Sequence, residues 1–141
     1  MAAVYLSARY SRRSLMAEYA KELRALGHAV TSRWIFRKQP PDSDLTPRQS
    51  RRIALEDLYD LSISDAIIFF TESTPGKGGR HVELGFAYGL RTAGRKLTTI
   101  VIGPMTQTIF EGLGARHFQS WEQARDYLVT NGDSENNGRQ N

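Results

Sequence analysis

The sequence predicts a single α/β domain in which a parallel sheet of about five strands is covered by helices on both faces. Three observations carry that expectation. Short apolar runs alternate five times over with segments whose apolar residues recur at helical spacing. The middle run, residues 65–71 (DAIIFFT), is continuously apolar inside polar ends, the pattern of a strand buried on both faces, as central parallel strands are. Gly27 and Gly94 stand just past two of the helical segments, where a left-handed residue closes a helix.

The elements follow in order. Residues 4–7 form a first strand, and Leu15, Ala20, Leu23 and Leu26 mark the apolar face of a first helix closed by Gly27. Residues 28–34 (HAVTSRW), β-branched and aromatic, predict a second strand. Residues 37–44, polar and carrying Pro40 and Pro41, predict a loop long enough to act as a flap over a site. Thr46, Pro47 and Gln49 are a capping residue, a first-turn proline and a capping-box partner, so a helix begins there and runs to about Ser62. Its apolar stripe is Ile53, Ala54, Leu58 and Leu61, which turns Glu56 and Asp60 toward other faces.

After the strand at 65–71 comes the glycine-rich loop 72–80, then a helix over 81–93 closed by Gly94. Residues 97–102 predict another buried strand and 116–119 a short last one. A second capping-box pattern, Ser120 with Gln123, opens a helix through about Val129. The polar residues 131–141 predict a disordered tail, leaving the domain at 1–130. Strand–helix alternation with right-handed crossovers implies a three-layer, Rossmann-like arrangement. Ligands bind such sheets at the carboxyl ends of the strands, so the loops after Ser7, Trp34, Thr71 and Gly103 should converge on one crevice.

Composition narrows the function. With 141 residues there is room for one ordinary core, and 40% apolar with 24% charged residues predicts a chain that folds. The absence of cysteine excludes a thiolate nucleophile, a disulfide or a Cys-ligated metal and suits the cytoplasm. No apolar run is long enough to span a bilayer and none has the form of an export leader. The net charge of +4 mixes arginines with acids instead of forming a basic run, which argues against a nucleic-acid partner. Two local clusters remain, Arg9, Arg12 and Arg13, and Arg48, Arg51 and Arg52; each is either a phosphate grip or a solvated surface.

The most informative stretch is residues 78–85, GGRHVELG, where glycines permit a tight strand-to-helix turn and set Glu83 in a first helical turn. There the helix dipole would keep its carboxylate ionised, which serves either plain dipole compensation or chemistry. Lys77 is not followed by Ser or Thr, so no P-loop is present, and there is no GxGxxG dinucleotide motif. His28, His81 and His117 are too scattered for a helical metal pair, so no metal or other cofactor is expected.

Tyr5 in VYLS (residues 4–7), Asp57 in EDL (56–58) and Glu83 in GGRHVELGFA (78–87) together resemble the nucleoside 2-deoxyribosyltransferase family, which includes the 2′-deoxynucleoside 5′-monophosphate N-glycosidases. The likeness runs from about residue 4 to 128 and takes in Gly94 with Lys96, the strand 97–102 and the Gly103-Pro104 turn. It implies cleavage or transfer at an N-glycosidic bond, with Glu83 as nucleophile on the anomeric carbon. Asp57 would protonate the departing base, and Tyr5 would orient Glu83. Two carboxylates roughly 5 Å apart suit such a retaining double displacement through an oxocarbenium-like transition state.

The resemblance further implies a substrate-binding set of Ser7, Arg9, Ser11, Arg12, Gly79, Arg80 and His81, although the first loop supplies its serines and arginines in a shifted order. Lys77 and Arg80, in a loop longer than in the monophosphate hydrolases, are further candidates for a phosphate. An ungapped reading sets Glu111 where those enzymes lend a phosphate-binding serine from a neighbouring subunit, and a carboxylate there would repel phosphate; Thr106 and Thr108 stand close by in sequence. A homo-oligomer is the implied active unit, with residues 105–113 as interface, unless Ile109 and Phe110 close the monomer's own core. The competing readings are a nucleotide-sensing module using the same crevice and a ribonucleotide phosphoribohydrolase, whose loop threonine is absent here.

Overall fold

A computed structural model describes residues 1–71, 78–105 and 109–138, with the side chains of 131–138 left out of account. Five strands, β1 (Ala3–Ser7), β2 (Ala29–Val30), β3 (Ala66–Phe70), β4 (Thr98–Ile102) and β5 (Arg116–Phe118), form one sheet. All pairings are parallel, and the order is β2-β1-β3-β4-β5. Four α-helices surround it: α1 (Arg13–Ala25), α2 (Pro47–Ser62), α3 (Gly79–Thr92) and α4 (Trp121–Gly138). The predicted α/β class and the five-stranded parallel sheet are therefore the observed ones.

The central strands are apolar throughout because both faces are covered. Val4, Tyr5 and Leu6 of β1 and Ile67, Ile68 and Phe69 of β3 are fully buried. Burial of each such side chain contributes about 1.5–3 kcal/mol to the fold's stability. On one face the Trp121 ring of α4 stacks on Tyr19 of α1 at 4.2 Å, with Phe70 beside it. On the other, α2 and α3 pack against each other, and Leu84 of α3 meets Phe69 and Val101.

Several predicted boundaries hold closely. α2 begins in the expected capping box, with the Thr46 hydroxyl accepting from the Gln49 N–H and the Gln49 side chain accepting from the Thr46 N–H. Such a cap stabilises a helix by about 1 kcal/mol. Gly27 and Gly94 do close α1 and α3 at positive φ. α4, by contrast, runs past its predicted end at Val129 to Gly138, into the polar segment expected to be a tail.

The second strand is the clearest correction. Only Ala29 and Val30 pair with β1, and the chain then enters a 3-10 turn at Arg33–Phe36. The edge of β1 is completed by side chains instead. The Leu6 N–H donates to Ser32 Oγ (3.1 Å), and Trp34 Nε1 donates to the Leu6 carbonyl (2.8 Å). The ladder can stop early without an orphaned backbone group, and the turn buries Trp34 and Ile35. Asp60 also departs from expectation: it is buried, and its carboxylate takes the Arg33 N–H, Nε and Nη2.

Candidate active site

The strand order reverses its winding direction between β1 and β3, which leaves a crevice at the carboxyl ends of those two strands. A cavity of about 840 Å³ opens there. Its walls come from three chain segments: Ala8–Ser11 after β1, Arg37 and Gln39–Asp42 after the 3-10 turn, and Gly78, Gly79, Arg80 and Glu83 at the start of α3. Trp34, Ile53 and Asp57 complete the lining. Three of the four predicted loops thus converge, the proline loop among them. Among the described residues none after Gly103 reaches the cavity.

Alternation along β1 explains what holds Glu83. Residues two apart on a strand share a face, so Tyr5 and Ser7 point the same way. Their hydroxyls meet one carboxyl group: Tyr5 Oη donates to Glu83 Oε2, and Ser7 Oγ donates to Oε1 at 3.0 Å. Both residues are fully buried and lie behind Glu83, not in the cavity wall. Ser7, named in the expected substrate-binding set, gives a second hydroxyl to Glu83 and does not line the cavity.

Glu83 lies two residues deeper in α3 than its sequence context predicts, past the first turn. The helix starts at Gly79 after the left-handed Gly78 (φ 90°), and no acidic residue falls in its first turn. The dipole's help fades within that turn. Burial then dominates and pushes the Glu83 carboxyl up to about 8; the Tyr5 and Ser7 hydrogen bonds and Arg80 oppose this, while Asp57 adds to it. The expected free carboxylate at neutral pH is therefore corrected to a group that keeps its proton more tightly. Tyr5 itself is driven far above the ordinary phenol range by burial and by the charge of Glu83, so it remains a donor.

Asp57, one helical layer away on α2, lines the same cavity. Burial pushes its carboxyl up to about 6, against the pull of Arg37, whose Nη2 donates to Oδ1 at 2.6 Å. The site thus presents two carboxyls that both retain protons above the usual range, each raised mainly by desolvation. A pair of this kind can supply an anion and an acid to one bound molecule.

The remaining predicted residues divide. Arg9, Ser11, Gly79 and Arg80 line the cavity. Arg80 is also tied inward, for its guanidinium donates to the Phe70 carbonyl and lies over the Phe69 ring at 5.4 Å. Arg12 lies over the Phe70 ring at 5.4 Å, and Arg13 over the Tyr10 ring at 5.0 Å; neither is in the cavity wall. His81 turns to the buried Glu111, Nε2 to Oε1 3.5 Å, and packs edge-on against Phe69. Arg48, Arg51 and Arg52 are solvated on the outside of α2. Lys77, Thr106 and Thr108 lie outside the described residues. Among the described residues no group of three or more His, Asp or Glu side chains is placed to hold a metal ion.

Sequence reading missed the contributions of Tyr10, Trp34, Arg37 and Ile53 to the wall. Trp34 was hidden by its expected place at the end of a strand. Arg37 stood at the head of the predicted flap, a positional signal without a chemical one.

No protein-family model and no curated protein matches the sequence. Solved structures do match the fold. The 2-deoxyribosyltransferase of the psychrotolerant bacterium Bacillus psychrosaccharolyticus superposes with a TM-score of 0.68 at 18% identity, covering 89% of this chain and 91% of that one. The CMP N-glycosidase BcmB of Clostridium botulinum gives a TM-score of 0.54 at 16% identity, covering 89% of this chain and 97% of that one. The chain has the fold of these two proteins, over nearly the whole length of each.

Proposed function

We propose that the protein cleaves or transfers at the N-glycosidic bond of a 2′-deoxynucleoside or its 5′-monophosphate, as a distant member of the nucleoside 2-deoxyribosyltransferase family. One observation carries this reading: a cavity-lining carboxyl, Glu83, has each of its oxygens held by a buried hydroxyl, and a second proton-retaining carboxyl, Asp57, lines the same cavity. The folds matched belong to proteins named for this bond class.

In the proposed reaction a Glu83 oxygen attacks the anomeric carbon of the deoxyribose. The carbon–nitrogen bond breaks, its electron pair passes to the base, and Asp57 supplies the proton that neutralises the leaving group. Tyr5 and Ser7 keep the attacking carboxylate in one orientation, which lowers the entropy cost of reaching the in-line geometry. Water or a second base then attacks the same carbon, its proton passing to the Asp57 carboxylate, while the carbon–oxygen bond to Glu83 breaks and its electron pair returns to the Glu83 carboxylate. A 2-deoxy sugar suits this path because no 2-hydroxyl withdraws electrons from the oxocarbenium-like transition state. Trp34 and Ile53 offer an apolar wall for the base, and Arg9 with Ser11 offers donors to a 5′-phosphate.

The proposed active unit is a homo-oligomer. Ile109 and Phe110 are 86% and 54% exposed, so they do not close this chain's own core. Met105 and Val82 are exposed apolar residues as well, and the 3-10 turn Ile109–Leu113 packs on α3, the helix that carries Glu83. Sedimentation and activity followed across one dilution series test this: full activity in a species of monomer mass would overturn it.

The deciding experiment is incubation with a panel of deoxynucleosides, ribonucleosides and their 5′-monophosphates, watching for free base and, with a second base added, for the exchanged nucleoside. Release of base from at least one deoxy substrate, with a deoxyribosyl adduct on Glu83 found by peptide mass, is the expected result. Tight binding without release of base would favour the sensing reading instead.

A further inference from the structure

Arg37 takes no part in the chemistry just described, yet its guanidinium is placed with unusual care. The side chain is clasped between neighbouring acids of α2, with Nη2 donating to Asp57 Oδ1 at 2.6 Å and Nη1 3.6 Å from Glu56 Oε1. Nε and Nη1 are buried and form no hydrogen bond, so the strong bond of this group is the one to Asp57. The backbone beneath it is fixed as well. The Arg37 carbonyl accepts from Tyr10 Oη (2.8 Å) and from Arg13 Nη1 (3.1 Å), and Tyr10 Oη accepts from the Gln39 N–H (3.2 Å). The loop that walls the cavity is thereby bolted to the turn after β1, and its arginine to the acid on α2.

Guanidinium has only donors, so the Asp57 oxygen it grips cannot hold a proton between them. On the glycosidic reading above, we propose that Arg37 is a positioning residue that holds Asp57 by Oδ1, so that Oδ2 is the oxygen that gives its proton to the departing base. The step balances: the Oδ2–H bond breaks as the base nitrogen takes the proton, and the carboxylate formed is neutralised by the Arg37 cation already in contact. Arg37 thereby makes a buried acid a readier donor. Arg33 also draws the Asp57 proton off, whereas Glu56 and Asp60 on the same helix strengthen its hold; Glu83 of α3 and Tyr5 of β1 are coupled to each other and to Asp57 across the cavity.

The test uses the full chain with Arg37→Met, which keeps length and removes charge, and Arg37→Lys, which keeps charge and loses the planar fork. Carbon-13 carboxyl titration by NMR, which needs no substrate, is expected to move the Asp57 midpoint up by about 1–3 units in Arg37→Met. In Arg37→Lys it should stay within about half a unit of the parent, since a point charge remains. With whichever deoxy substrate is turned over, both variants should lose about tenfold or more in kcat with KM little changed, because the contact matters in proton transfer. An unmoved Asp57 midpoint in Arg37→Met, or an unchanged kcat in Arg37→Lys, would overturn the proposal; the second variant serves should the first not fold. Failure of every substrate would sink the glycosidic reading, while the titration would still decide whether Arg37 governs the proton on Asp57.

Discussion

Tyr5 and Glu83, 78 residues apart in sequence, meet in one hydrogen bond from the β1 phenol to the α3 carboxyl. The bond ties a central, buried strand of the sheet to the helix that opens the cavity. It also opposes the effect of burial on Glu83, since a phenol donating to a carboxylate stabilises the charged form.

Tyr5→Phe should therefore raise the Glu83 midpoint further and slow turnover. A fall in kcat on the order of 10-fold to 100-fold is expected, with the alkaline fall in rate, set by the higher of the two midpoints, moved to higher pH. Rates measured across pH 4–10 check it. An unshifted profile would mean that the phenol only packs.

Glu83→Gln should lower base release by about 1,000-fold or more, because an amide of the same size cannot form the ester to deoxyribose. It should also stabilise the fold in alkali. The folded Glu83 keeps its proton up to about 8 where its ordinary value is 4.5, so the unfolded chain ionises first as pH rises. That group's contribution is present below about 4.5 and is lost as pH climbs through about 8. The variant's Tm should match the parent near pH 4 and exceed it by roughly 5 °C or more at pH 9. Equal Tm at pH 9 would show that burial does not hold the proton on Glu83.

Asp57→Asn should cost about 100-fold in kcat and change the shape of the pH profile. Glu83 must be ionised and Asp57 protonated for the proposed reaction, so the rate rises with one group and falls with the other. With Asp57 near 6 and Glu83 near 8, the competent form is a minor one, and the parent should peak near neutrality, the two groups titrating as a pair. Without the Asp57 proton the alkaline fall should vanish, leaving a rate that climbs through the Glu83 midpoint. Persistence of that fall would assign it to another group.

Arg9 and Arg12, alike in sequence, should behave differently. Arg9 lines the cavity, whereas Arg12 lies over Phe70 outside it. Arg9→Ala is expected to weaken kcat/KM for a deoxynucleoside 5′-monophosphate by about 10-fold to 100-fold while sparing the nucleoside, the loss of a charge-assisted phosphate contact. Arg12→Ala should act on both substrates alike. Equal discrimination by the two variants would move the phosphate elsewhere.

Much of the fold was readable because its rules are local. The continuous apolar run around Ile67 and Ile68, the Thr46 capping box and the glycines after α1 and α3 each act within a few residues, so periodicity and composition reveal them. The second strand was not readable, since its end depends on Ser32 and Trp34 finding the Leu6 backbone. Asp60 is placed by amphipathic spacing on a face other than the apolar stripe, and that spacing cannot show that Arg33 waits there on another element.

The sequence by itself determined the alternation of strands and helices, the parallel sheet and the three side chains, Tyr5, Asp57 and Glu83, most worth inspecting. Tertiary structure alone decided how they are placed toward one another. Residue spacing along β1 says that Tyr5 and Ser7 share a face, but only the packing of α3 on the sheet brings Glu83 to both hydroxyls. Proton affinity is likewise a property of surroundings: a helix start in the sequence suggested an ionised Glu83, and enclosure two residues farther along the helix raises its midpoint instead. The grip of Arg37 on Asp57 belongs to the same class, for it joins a loop to a helix across 20 residues of chain, a distance that local propensity does not span.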